Sequence, residues 1–263
     1  MIFPEAQFPP PRYLAPRYRE SVERGYARMK DRTAVVAGLA RDLGDRLPHA
    51  TASIDAIGGL FGDYRVVLYE NDSRDGTPDR LRDWLRPQDY LRSETRHLPK
   101  WASIRHPDRG AQMAAYREQL RQDIVEHGGA ADVVLILDTD IAAFSLDGIA
   151  HTLGQDDWDV VGSLGLKEIK GRTVNYDVWA WRDVNHPDPH NRWQINPRTA
   201  PRGAALQPVW SCFGGLAIYR AATMRAAGYS GDNGGDHYRF HFGLREAGLG
   251  RIFCNPSQIT LYG

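Results

Sequence analysis

The chain has 263 residues, 42% of them apolar and 25% charged, enough for one sizeable core without disulfide staples. Thirty-three basic residues balance thirty-three acidic ones, so no net field exists to gather nucleic acid or an anionic membrane. No window approaches the roughly 18 apolar residues of a membrane helix, which excludes an integral span.

Residues 1–15 read as an irregular arm, because Pro4, Pro9, Pro10 and Pro11 remove backbone donors. This arm lacks the apolar stretch of a signal peptide, and a cytoplasmic enzyme is expected. A helix is expected over 18–29. The β-branched run at 33–39 predicts a buried strand, and the spacing of Ile54, Ile57 and Leu60 predicts a helix over 47–61. Residues 64–69 predict a second strand, followed at once by a polar stretch, 70–76. Thr77 and Pro78 then suit the start of a helix reaching about 85. A third strand is expected over 90–95. Met113, Tyr116, Leu120 and Ile124 predict a long helix over 109–127, ended by Gly128 and Gly129. The apolar run 132–137 reads as a central parallel strand covered on both faces, with Asp138, Thr139 and Asp140 at its carboxyl end.

Strand and helix alternate over about 140 residues, which predicts an α/β fold with an open, mostly parallel sheet flanked by helices. In such sheets ligands bind beyond the carboxyl ends of the strands, where both acidic clusters fall. Later, strands are expected over 158–164 and 213–219, a short helix over 240–247, and an edge strand over 251–254. Residues 171–210 are rich in Trp, Pro, Asn and Asp and read as a pocket wall as well as core. No linker or repeat divides the chain. A single domain is expected, with a nucleotide half over about 30–140 and an acceptor half over about 141–263. Cys212 and Cys254 lack metal-ligand spacing and sit among apolar residues, so buried free thiols are expected.

Four groups of residues have the chemistry for a site. Asp138 and Asp140, one residue apart past a buried strand, suit a hard divalent cation such as Mn²⁺ or Mg²⁺; a solvated turn is the plainer alternative. Glu70, Asn71 and Asp72 offer acceptors and donors for a base and ribose. Asp75 and Thr77 also suit a turn and a helix cap. Asp236, after Gly234 and Gly235, suits either a turn or an acid facing an acceptor hydroxyl, with His237 beside it as a third metal ligand. Tyr176, Asp177, Trp179, Trp181, Arg182 and Asp183 combine aromatic faces with charges: the tryptophans suit packing, while Asp177, Arg182 and Asp183 suit a donor sugar or its phosphates. His186 and His190, in a proline-broken stretch, read as a surface loop. No GxSxG, Walker loop or GxGxxG is present.

The stretch Glu70-Asn71-Asp72-Ser73-Arg74-Asp75-Gly76-Thr77 resembles the DDGSxDGT signature of GT-A glycosyltransferases, and Asp138-Thr139-Asp140 resembles their DxD motif at a suitable distance. Together they cover about residues 33–140. The resemblance implies a GT-A-like fold, a nucleotide-sugar donor bound by Glu70, Asn71, Asp72, Asp75, Arg109 and Asp138, and Mn²⁺ or Mg²⁺ held by Asp138 and Asp140. Asp236 resembles the acid that contacts the acceptor in many such enzymes. A narrower resemblance follows: 175–183 is similar to the YDxWxxRD stretch, and 211–216 to the SCxxG segment, of the fungal capsule-associated mannosyltransferase family. It implies a GDP-mannose-like donor, transfer with retention to a glycan or other hydroxyl acceptor, and catalytic roles for Asp177 and Arg182. Those fungal proteins are membrane-anchored, and this chain reads as a bare catalytic domain. A UDP-sugar-dependent glycosyltransferase is the alternative, as is a non-catalytic glycan-binding module. A sugar nucleotidyltransferase would need a glycine-rich basic loop near the first strand, and 33–46 has none.

Overall fold

The computed structural model describes residues 3–101, 106–176, 178–187, 200–231 and 235–263. After a short 3₁₀ turn, Glu5–Gln7, the chain runs through α1 (Ala15–Lys30), β1 (Thr33–Ala40), α2 (Leu47–Gly58), β2 (Asp63–Asn71), α3 (Thr77–Trp84) and β3 (Tyr90–Glu94). Then come α4 (Pro107–His127), β4 (Val133–Asp138), β5 (Ala143–Phe144), α5 (Leu146–Leu153), β6 (Val160–Ile169), β7 (Arg172–Asn175) and β8 (Gln207–Pro208). The chain closes with β9 (Leu216–Arg220), α6 (Thr223–Ala226), α7 (Asp236–Glu246) and β10 (Ile252–Tyr262). Among the described residues no helix is long and apolar enough to cross a membrane.

The described strands all join one sheet, in the order β3-β2-β1-β4-β9-β6-β10-β5, with β7 paired to β6 and β8 to β10. The first half is parallel throughout: β3, β2, β1 and β4 all run the same way. β9 enters antiparallel between β4 and β6, and β6 and β10 are again parallel. This is the expected single α/β domain with a mixed, largely parallel sheet.

The sequence of β4 explains why it lies at the centre. Val133, Leu135 and Leu137 pack on one face, with α1, α2 and α5 supplying Val22, Ile54 and Ile149. Val134 and Ile136 pack on the other, with Leu120 of α4 and Phe240 of α7. A strand buried on both faces needs an unbroken apolar run, and that run is what 133–137 provide. Two helices on the first face approach very closely. A Cβ on Gly25 of α1 would stand 1.7 Å from the carbonyl oxygen of Ala150 in α5.

Strand register levels the functional loops. Ala40 lies opposite Glu70, Leu39 opposite Asp138, and Asn71 opposite Glu94, so the carboxyl ends of β1 to β4 finish together.

Several expectations need correction. The last strand is not a short edge strand but eleven residues that pair β6, β5 and β8. Its interior holds Asn255, Ser257, Gln258 and Thr260, all buried, and these polar residues hid its length from an apolar pattern. The final helix begins at Asp236 rather than at 240. Helix α5, capped by Ser145 accepting from the Gly148 N–H at 2.8 Å, was not foreseen. Cys212 and Cys254 are buried free thiols.

Candidate active site

The acidic stretch after β2 is a tightly bonded loop. Glu70, 1% exposed, accepts from the Ser73 N–H at 3.0 Å and from Ser93 Oγ at 2.5 Å. Asp72 adopts a left-handed backbone, φ 55°, and accepts from the N–H groups of Arg96, His97 and Leu98 and from Asn71 Nδ2. Burial alone would raise its pKa; these donors outweigh that and hold the carboxyl below its usual range. Asp75 accepts from Thr77 Oγ1 at 2.6 Å, the Thr77 N–H at 3.1 Å and the Gly44 N–H at 2.7 Å. Glu70 and Asp75 therefore help build the loop.

The loop after β1 is stitched to it reciprocally. The Asp42 N–H donates to Ser73 Oγ, the Leu43 N–H to Thr77 Oγ1, and the Arg74 N–H to Asp42 Oδ1. Asp42 and His97 share the left-handed conformation with Asp72, at φ 49° and 56°. Three such non-glycine residues just past three adjacent parallel strands mark a site where strain is held in place. Lys100 Nζ lies 3.4 Å from Asp42 Oδ2. Sequence reasoning passed over Asp42, although its place just past β1 was the available signal.

Asp138 ends β4. Its Oδ1 accepts from Arg117 Nη2 at 3.3 Å and its Oδ2 from Tyr262 Oη at 3.1 Å. Tyr262 reaches it only because residue 215 is glycine: a Cβ there would stand 2.2 Å from the tyrosine oxygen. Burial raises the Asp138 pKa; Arg117 opposes this, and the neighbouring Asp140 charge adds to it. Asp140 is exposed in the following turn, and Thr139 is pinned by its Oγ1 to the Leu39 carbonyl at 2.8 Å. Two carboxylates one residue apart at a strand end, one of them open to solvent, are a hard-oxygen set suited to a divalent cation. Asp138 and Asp140 thus fit Mn²⁺ or Mg²⁺.

Asp236 opens α7, and its Oδ2 accepts from Arg117 Nε at 2.5 Å. Arg117, on α4 and 7% exposed, thereby joins the two acids. Burial would lower its pKa, but Asp236 and Asp138 raise it. Neither Arg117 nor Tyr262 carries a sequence signal, since each is defined only by what folding brings to it.

His237 is 4% exposed, stacked on Phe213 at 3.8 Å, with no hydrogen-bond partner at either ring nitrogen. Burial first, then the Arg117 and His241 charges, keep it neutral far below the usual range. Among the described residues no three His, Cys, Asp or Glu side chains converge as a metal set, so His237 does not join Asp138 and Asp140. Arg182 is fully buried, with its guanidinium donating to the carbonyls of Trp179 and Trp181 and lying 5.3 Å from the Tyr238 ring. These bonds tie its own turn together. Asp183 accepts from Trp181 Nε1 and from the His186 ring, both at 2.8 Å, and serves the same turn. Arg109 sits half-buried in the first turn of α4, on the helix that carries Arg117. Asp177 and His190 lie outside the described residues.

No protein-family model matches the sequence, and no curated protein matches it. Solved structures do resemble it. A mycobacterial protein shares 17% identity over 92% of this chain and 71% of its own, with a TM-score of 0.52. Glucosyl-3-phosphoglycerate synthase of Mycobacterium tuberculosis shares 14% over 92% of this chain and 75% of its own, with a TM-score of 0.51. The same enzyme in complex with Mn²⁺, UDP-glucose and phosphoglyceric acid gives 13%, 92%, 76% and 0.50. At these identities the likeness establishes the fold, which is that of the GT-A glycosyltransferases.

Proposed function

We propose that the chain is a metal-dependent glycosyltransferase using a nucleotide-sugar donor. One observation carries the reading. On a GT-A fold, Asp138 ends level with the acidic loop after β2, and Asp236 is drawn to it across Arg117.

Asp138 and Asp140 would hold Mn²⁺ or Mg²⁺, which when bound neutralises charge on a leaving nucleoside diphosphate. Asn71 and Asp72, on the loop shaped by Glu70 and Asp75, face the base and ribose, with Asp42 beside them. Arg109 serves the diphosphate, and the motif assigns Asp177 to the donor sugar. Asp236 orients the acceptor hydroxyl, on a glycan or a small molecule. Catalysis then rests on positioning and on stabilising the leaving group.

The YDxWxxRD and SCxxG stretches favour GDP-mannose and retention. The similar synthase, crystallised with UDP-glucose, supports a UDP-sugar as a second reading. The test is nucleoside diphosphate release from GDP-mannose and from UDP-glucose, with Mn²⁺ and with EDTA. Metal-dependent release from one donor, abolished in a folded Asp138→Asn variant, is expected. Release from neither, together with no nucleotide binding, would favour the glycan-binding module.

A further inference from the structure

Arg117 has one charge and two acidic partners, one ending β4 and the other opening α7. Its Nη2 reaches Asp138 at 3.3 Å and its Nε reaches Asp236 at 2.5 Å. Its guanidinium lies 5.0 Å from the Phe213 ring and is almost wholly buried, so it has no room to swing into solvent. The helix around it grips the chain between Met224 and Gly231. Glu118 accepts from the Tyr229 N–H at 2.8 Å, and Arg121 donates to the Met224 carbonyl. Gly231 packs so tightly that a Cβ would lie 2.4 Å from the Ala111 Cα. These contacts hold α4 against the chain from Met224 to Gly231.

We infer that Arg117 is a positioning residue shared between Asp138 and Asp236, so that a cation at Asp138 and the setting of Asp236 are energetically coupled. The inference rests on the glycosyltransferase reading above. A cation arriving at Asp138 competes with the guanidinium for the same carboxylate, and Arg117 then turns more fully to Asp236. Removing the charge of Asp236 has the opposite effect: Arg117 is left to Asp138 alone, and the cation binds less well. Such coupling is reciprocal by thermodynamic necessity. In function, it makes the acid that meets the acceptor respond to whether the donor side is loaded.

The test is Mn²⁺ affinity without nucleotide, read from the electron paramagnetic resonance of free Mn²⁺. Arg117→Gln is expected to tighten binding roughly five-fold or more, the lower end of typical coupling. Asp236→Asn is expected to weaken it by a similar factor, and to have no effect once Arg117→Gln is present. A purely structural arginine would not tighten metal binding when removed. Should Arg117→Gln fail to fold, Arg117→Lys takes its place: it keeps the charge without the two-armed fork, and the Asp236→Asn effect must shrink in that background. Unchanged affinity across these variants, or an equal loss from Asp236→Asn in both backgrounds, overturns the inference alone. If the unmodified protein shows no Mn²⁺ binding that Asp138→Asn abolishes, the metal-dependent reading falls first and the inference with it.

Discussion

Asp75 has two roles that only the structure separates. By motif it belongs to a donor-binding signature; by geometry it holds Gly44 and Thr77 and so ties the loop after β1 to the start of α3. Asp75→Ala should cost on the order of 1 kcal/mol, the usual net worth of a lost hydrogen bond. A denaturant midpoint measures this, and nucleotide affinity should fall with it. The placement of 70–77 and 138–140 just past strand ends was legible because an apolar run followed by polar residues is a local pattern. Arg117 was not legible: its helical period is set by Met113, Tyr116, Leu120 and Ile124, and its partners lie 21 and 119 residues away. Arg182 shows the reverse case. Its motif is local, but full burial among backbone carbonyls is a fact of packing.

At the scale of elements, the parallel half was readable because each strand there is an apolar run followed by a polar loop. The later strands were less so. β10 buries Asn255, Ser257 and Gln258 by pairing them with Thr152, Ser163 and one another, so a strand interior reads as a polar stretch. The contact of α1 with α5 left only a glycine as its mark. Gly25→Ala should force the two helices apart and cost about 1–3 kcal/mol, as overpacking usually does. A thermal unfolding series checks this, and donor binding in the folded fraction should be unchanged, because the contact lies among the helices of one face.

The whole molecule carries a pH dependence from buried histidines. Burial first lowers His151 to about 4, opposed by the amide of Asn255, and burial lowers His241 to about 3, where Ser211 and Tyr219 pair its ring. His237 is lowered as well. Unfolded, such rings take up protons near pH 6.5. Between there and pH 4 the unfolded chain binds more protons than the folded one, so their stabilising contribution is full above 6.5 and shrinks as pH falls. Asp138, raised above the ordinary carboxyl range, acts in the opposite sense with a single group. Carboxyls held below their usual range, such as Asp72 and Asp159, lose their contribution only in more acid solution. The denaturant midpoint should therefore drop between pH 6.5 and 4, and drop less in His241→Asn if that variant is folded at pH 8.

The central claim is that the carboxyl ends of the parallel strands bind a nucleoside diphosphate through a cation held by Asp138 and Asp140. Titration calorimetry with GDP and UDP, in Mn²⁺ and then in EDTA, tests it most directly. The account predicts binding of one nucleotide in Mn²⁺, its loss in EDTA, and its loss in a folded Asp138→Asn, Asp140→Asn double variant. Binding of neither nucleotide to the folded protein, or binding equally strong without metal and in the double variant, would contradict it.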